Sequence, residues 1–160
     1  MADRHVDVLI VGGGVAGASC ARTLRERGFP GGVLLVGREP DPPYERPPAR
    51  KEYLAGGCEK ADAYVAAADW YAEHDIELKT RTSVMKLDAE AKEATLSTKE
   101  TVSFEHALIA SGANVRRLPV EGSDLEGIHY LRALRNADAI RDDTADADHV
   151  VMVGGSYIGC

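Results

Sequence analysis

Residues 6–17 read Val6-Asp7-Val8-Leu9-Ile10-Val11-Gly12-Gly13-Gly14-Val15-Ala16-Gly17, an apolar run that passes straight into Gly-x-Gly-x-x-Gly. No other stretch narrows the possible folds so far. The consecutive apolar residues 8–11 suit a strand covered on both faces. Gly12 permits a tight turn, Gly14 lets a pyrophosphate approach the backbone, and Gly17 lets the following helix pack close to the strand. The N-terminus of that helix offers unpaired N–H groups and a partial positive charge to phosphates. The flanks agree with this reading. Ala21 is small where the helix must touch a sheet, Leu24 continues the apolar stripe, and Gly28 ends the helix. A second apolar strand, Val33-Leu34-Leu35-Val36, is followed by Glu39. An acid about 20 residues beyond the glycines is where a ribose hydroxyl is gripped. Arg38, beside it, reads either as a partner for a 2′-phosphate or as a solvated arginine.

Residues 40–50 hold five prolines and cannot form a regular helix or a central strand. Directly after Glu39, they predict an extended loop lining the cofactor. Lys51-Glu52-Tyr53-Leu54 predicts a short helix stopped by Gly56-Gly57, and the alanine-rich residues 61–74 a longer one. Short β-type pieces at 76–79, 83–88, 93–97 and 101–104 predict a small antiparallel meander. Ala107-Leu108-Ile109-Ala110 reads as another buried strand, ending in Ser111-Gly112-Ala113. A polar connection over 114–128 leads to a short helix over 131–141. Val150-Val151-Met152-Val153 then enters Gly154-Gly155-Ser156-Tyr157-Ile158-Gly159, a second strand and glycine turn with Ser156 in place of the middle glycine. The sequence stops at Cys160, where a helix should begin. The expectation is a fragment of a longer protein.

The 160 residues carry a net charge of −7, which argues against a nucleic-acid partner. No run approaches the roughly 18 apolar residues of a membrane span. Asp3 and Asp7 interrupt the N-terminus, so no export signal is indicated. Cys20, Cys58 and Cys160 form no C-x-x-C or close pair, and the five histidines show no metal-ligand spacing. A cytoplasmic, reducing compartment is expected.

The order of these parts resembles the pyridine nucleotide–disulfide oxidoreductase superfamily, which binds FAD and NAD(P)H. Pro43-Tyr44-Glu45-Arg46-Pro47-Pro48, followed by Lys51 and Tyr53-Leu54, is similar to its ferredoxin and rubredoxin reductase branch. The resemblance implies an α/β architecture. A Rossmann-like FAD-binding domain over 1–114, built from a parallel sheet plus a β meander, precedes a linker and the start of an NAD(P)-binding Rossmann domain over 115–160. It also implies roles residue by residue. Gly12, Gly14, Val15, Ala16 and Gly17 would cradle the FAD pyrophosphate. Arg38 and Glu39 would sit at the adenosine ribose. Arg46 would contact the cofactor, and the backbone of Val84 would meet the adenine. Ala110-Ser111-Gly112 matches the family's A-T-G turn, and Arg132 an arginine near the flavin nucleotide. Gly154, Gly155, Tyr157, Ile158 and Gly159 would open the NAD(P)H site. Lys51 would lie near flavin N5, where a cation stabilises charge on the reduced flavin. The family has Leu-Ser before this lysine, whereas this chain has Ala49-Arg50.

The implied activity is transfer of hydride from NAD(P)H to FAD, then of electrons to a ferredoxin- or rubredoxin-type acceptor. Two rivals stand beside it: a truncated product with weak nucleotide binding and no catalysis, prompted by the stop at Cys160, and, from the resemblance, a thiol-dependent relative using Cys58. A simple NADP-binding Rossmann module, prompted by Arg38, explains neither the second glycine turn nor the meander between the two turns.

Overall fold

The computed structural model describes residues 2–156. Two compact units emerge. The first takes the chain up to Glu45 together with Tyr64–Gly112. The second takes Arg46–Ala63 together with the chain from Ala113 onward.

The first unit holds β1 (Arg4–Val11), α1 (Val15–Glu26), β2 (Val33–Val36), α2 (Trp70–Glu73), β3 (Ile76–Lys79), β4 (Val84–Asp88), β5 (Glu93–Leu96) and β6 (Thr101–Ile109). They form one sheet in the order β3-β2-β1-β6-β5-β4. β1 lies between β2 and β6 and is parallel to both, with Val8 opposite Val33 and Leu9 opposite Ala107. β3 extends the parallel part beyond β2, and β5 runs antiparallel to both β4 and β6.

The apolar pattern explains the layering. All four residues of β2 are buried, because both of its faces are covered. On one face Val8, Ile10, Val33, Leu35 and Ile76 pack with Ala21 of α1 and Tyr71 of α2. On the other, Leu9, Leu34 and Val36 pack with Ala94, Leu96, Val102 and Phe104 of the meander strands. Gly28 (φ +73) closes α1. Its N–H donates to Arg25 O, and Phe29 N–H reaches back to Leu24 O, both at 2.9 Å, the bonding pattern of a Schellman stop.

Several expectations change. Strand 76–79 belongs to the parallel sheet rather than the meander, because it pairs in register with β2. Segments 101–104 and 107–110 are one strand, β6, which pairs with β5 only over 101–103 and with β1 up to Ile109. The segment 107–110 is not buried as expected: Ala107 and Ile109, the latter 67% exposed, project from one open face of the strand while Leu108, on the other, is half-buried. The helix over 61–74 shrinks to a 3₁₀ turn at Lys60–Ala63 and the single turn of α2. Tyr64 is instead drawn into a β-bridge with Tyr44, and Val65 N–H donates to Pro43 O at 2.9 Å.

In the second unit, 51–56 are turns after a 3₁₀ segment at Pro48–Arg50, not a helix. The helix expected over 131–141 is α3 (Leu134–Thr144). Its start is displaced because Asn136 Oδ1 accepts the Ala133 N–H at 2.8 Å, fixing the first turn at Leu134. Residues 150–153 form no strand and are exposed, having no hydrogen-bonded neighbour among the described residues.

Candidate functional site

The C-terminal ends of the parallel strands β1, β2 and β6 come out on one side of the sheet, where open α/β folds bind ligands. There the glycines divide into two kinds. Gly12 has φ +128, and a Cβ on it would stand 2.1 Å from Ala110 O. Gly17 is equally constrained: its Cβ would lie 2.1 Å from Gly12 O and 3.2 Å from the Leu35 side chain. Packing alone demands glycine at both. Gly14 differs. It caps α1 with an ordinary φ of −98°, and an added Cβ meets no atom within 4 Å. The space beside it is open, as a cradle for a bound group must be. Val15 and Ala16, both exposed, begin α1, so their N–H groups belong to the unpaired first turn of a helix.

Gly37, directly after β2, is structural. A Cβ on either Gly13 or Gly37 would be 3.1 Å from the other's Cα, so both glycines permit this backbone approach. The segment after β3 then locks the end of β2. Gly37 N–H donates to Lys79 O, Thr82 N–H to Gly37 O, and Arg81 N–H to Glu39 O. Glu39, half-buried, accepts a 2.5 Å hydrogen bond from the hydroxyl of the buried Tyr44. Arg38 is exposed. Tyr44 and Thr82 were missed as site-shaping residues because their partners lie across the fold or in a loop with no periodic signal.

Ala110 joins the glycine turn. Its N–H donates to Val11 O at 2.8 Å, and its carbonyl sits over Gly12. Gly112, at φ +66, turns the chain away. Val84 opens β4 opposite Leu96 and packs on the meander-side core, two residues after Thr82.

In the second unit, Arg46 and Arg132 come together. Arg46 Nη1 donates to Arg132 O at 2.8 Å, and Arg132 Nε donates to Ala113 O at 3.2 Å. Lys51 is exposed just after the 3₁₀ segment, its N–H bonded to Pro48 O. Cys58 carries a thiol pushed up by burial and by the carboxylates of Asp62, Glu52 and Glu59. Gly154 (φ +122) and Gly155 are exposed, with open space where a Cβ would stand. Tyr157, Ile158 and Gly159 lie outside the described residues. No helix among the described residues is long and apolar enough to cross a membrane.

The family model for pyridine nucleotide-disulphide oxidoreductases matches residues 6–160. The chain belongs to this family. Within it, rhodocoxin reductase of Rhodococcus erythropolis is 34% identical over 96% of this chain and 36% of its own length. The benzene 1,2-dioxygenase system ferredoxin–NAD(+) reductase subunit of Pseudomonas putida is 38% identical over 96% of the chain and 37% of its own length. A crystal structure of a ferredoxin reductase from Rhodopseudomonas palustris superposes with a TM-score of 0.91 at 32% identity, covering 96% of this chain and 38% of that one. This pyridine nucleotide-disulphide oxidoreductase chain therefore spans little more than a third of the length of the curated relatives it matches. Its mixed sheet with helices is the α/β Rossmann-like arrangement of those neighbours.

Proposed function

We propose that the protein is a FAD-dependent oxidoreductase that takes reducing equivalents from NAD(P)H and delivers electrons to a ferredoxin- or rubredoxin-type acceptor. Residues 1–114 are its FAD-binding part, and 115–160 a linker and the start of the NAD(P)-binding part. Gly14 carries this reading. A glycine at a helix N-terminus with ordinary φ and open space beside it is not required by packing, and that space leaves room for a ligand to lie close against the backbone. The names of the relatives supply the acceptor class.

FAD when bound supplies the step from a two-electron donor to a one-electron acceptor. The chain's own residues bind and orient. The first-turn N–H groups of Val15, Ala16 and Gly17 would hold the pyrophosphate, and Glu39, which accepts the Tyr44 hydroxyl, would take a ribose hydroxyl. Lys51 would supply a cation for the flavin, where positive charge favours the reduced form. Cys58 weighs against the thiol-dependent alternative, because burial first and then the neighbouring carboxylates push its thiol up, away from the thiolate a nucleophile needs.

The test is flavin retention. The protein should purify with, or take up, FAD and show NAD(P)H-dependent bleaching. Gly14→Val should lose the flavin. Full flavin absorbance in that variant would overturn the reading.

A further inference from the structure

Tyr53 lies two residues beyond Lys51, and the proposed function assigns it no role. Its ring is buried, 6% exposed. Its hydroxyl donates a short hydrogen bond to Oδ1 of Asp138 on α3. Lys60 Nζ donates to the other oxygen, Oδ2, of the same carboxylate at 2.9 Å. Arg141, one turn further along α3, holds its guanidinium 5.6 Å from the centre of the Tyr53 ring. Burial pushes the Asp138 carboxyl up, but the hydrogen bonds from Lys60 and Tyr53 outweigh it and hold the group below its usual range.

The stretch needs such a grip. Residues 51–59 contain no helix or strand, only turns closed by bonds such as Ala55 N–H to Lys51 O and Gly57 N–H to Glu52 O. Ordering each residue costs roughly 1–2 kcal/mol of backbone entropy. Within Arg46–Ala63 the buried apolar side chains are only Ala49, Tyr53 and Ala63. Hydrophobic burial therefore does little to hold Lys51 in one place. The polar anchors lie at the start, middle and end of the stretch: Arg46 on Arg132 O, then Tyr53 and Lys60 on Asp138.

We propose that Asp138, acting through Tyr53 and Lys60, is the positioning residue for Lys51, clamping the 46–63 stretch to α3 so that the ammonium is presented from one fixed backbone conformation. The proposal rests on the reading of Lys51 as the cation that serves the flavin. Asp138 touches neither cofactor nor substrate in this scheme.

Two measurements test it. Amide hydrogen exchange on the flavin-free protein reads the clamp directly. Asp138→Ala and Tyr53→Phe should each speed exchange over 49–60 by about tenfold, the size of one lost hydrogen bond to a charged group. Protection in β1 and α1 should stay unchanged. Stopped-flow reduction of the bound flavin by NAD(P)H reads the consequence. Each variant should slow it about tenfold alone and less than about twofold further when added to Lys51→Met, because both act through the same ammonium. Lys60→Arg should retain the rate that Lys60→Met loses. Tyr53→Phe keeps the ring and carries the test should Asp138→Ala not fold. Unchanged exchange over 49–60, or losses that multiply with that of Lys51→Met, would overturn the proposal. A Lys51→Met protein that reduces its flavin normally would overturn both the role of Lys51 and the clamp's purpose. A slow Lys51→Met beside a normal Asp138→Ala would overturn the clamp alone.

Discussion

Gly14 and Gly17 are three residues apart and stand in opposite surroundings. Gly17 is pressed against Gly12 O and Leu35, so Gly17→Val should unfold or severely destabilise the protein whether or not flavin is present. Gly14 meets nothing, so the flavin-free Gly14→Val protein should melt near the unsubstituted one while failing to hold FAD. Thermal melts with and without flavin separate the two. The motif marked both positions, but it could not show that one glycine is pressed by packing while the other borders open space. Lys51 and Cys58 divide in the same way. Lys51→Met should slow flavin reduction about a hundredfold, the ~3 kcal/mol expected for losing one electrostatic stabiliser. Cys58→Ser should leave the rate unchanged. The reverse result in stopped-flow traces would favour thiol chemistry. Tyr71 was silent in the sequence. Its ring is 1% exposed in the helix-side core, its hydroxyl finds no partner among the described residues, and burial pushes its pKa up to about 12. Tyr71→Phe should therefore stabilise the protein by about 1 kcal/mol, read as a higher denaturant midpoint.

At the level of elements, strands with an unbroken apolar run were legible and tertiary partners were not. β1 and β2 follow their residues closely, because apolar runs covered on both faces leave no alternation to misread, and α1 follows its glycine start and small buried face at Gly17, Ala18 and Ala21. The alanine-rich stretch 61–74 has strong helical propensity, yet its backbone pairs with the proline loop through Tyr44 and Val65. Propensity is worth tenths of a kcal/mol per residue, less than a tertiary pairing contributes. Arg25 is the device that joins these elements. One guanidinium donates to Phe29 O and Gly31 O before β2, and to His74 O and Asp75 O before β3, at 2.6–2.9 Å. Arg25→Met should cost about 2 kcal/mol in chemical denaturation. Arg25→Lys should recover only part of it, since an ammonium cannot reproduce the planar fork.

Across the whole molecule, charge is distributed to stitch the first unit together. Arg4 on β1 donates to both oxygens of Glu77 on β3, at 2.7 and 2.5 Å, while Lys79 donates to Glu100 at 2.5 Å. The hydrogen bond from Arg4 holds Glu77 below its ordinary value of 4.5, against a smaller upward push from burial. A lowered carboxyl pKa contributes stability that is present above the unfolded value and is lost as pH falls through the folded one. The denaturant midpoint should fall from about pH 5 downward, and Arg4→Met should flatten that slope. Partial exposure of all four groups limits the effect to about 1 kcal/mol or less, shrinking further in high salt.

The sequence by itself determined the β1-turn-α1-β2 unit, the acid after β2 and the family. These depend on neighbours along the chain, on glycine geometry and on apolar runs. Tertiary structure alone decided that β3 joins the parallel sheet, that β6 serves both the parallel strands and the meander, and that Gly37 exists to let Gly13 approach. It also decided that Asp138, 85 positions from Tyr53, holds the Lys51 stretch. Such pairings are set by which surfaces meet in space, and no local period along the chain records them.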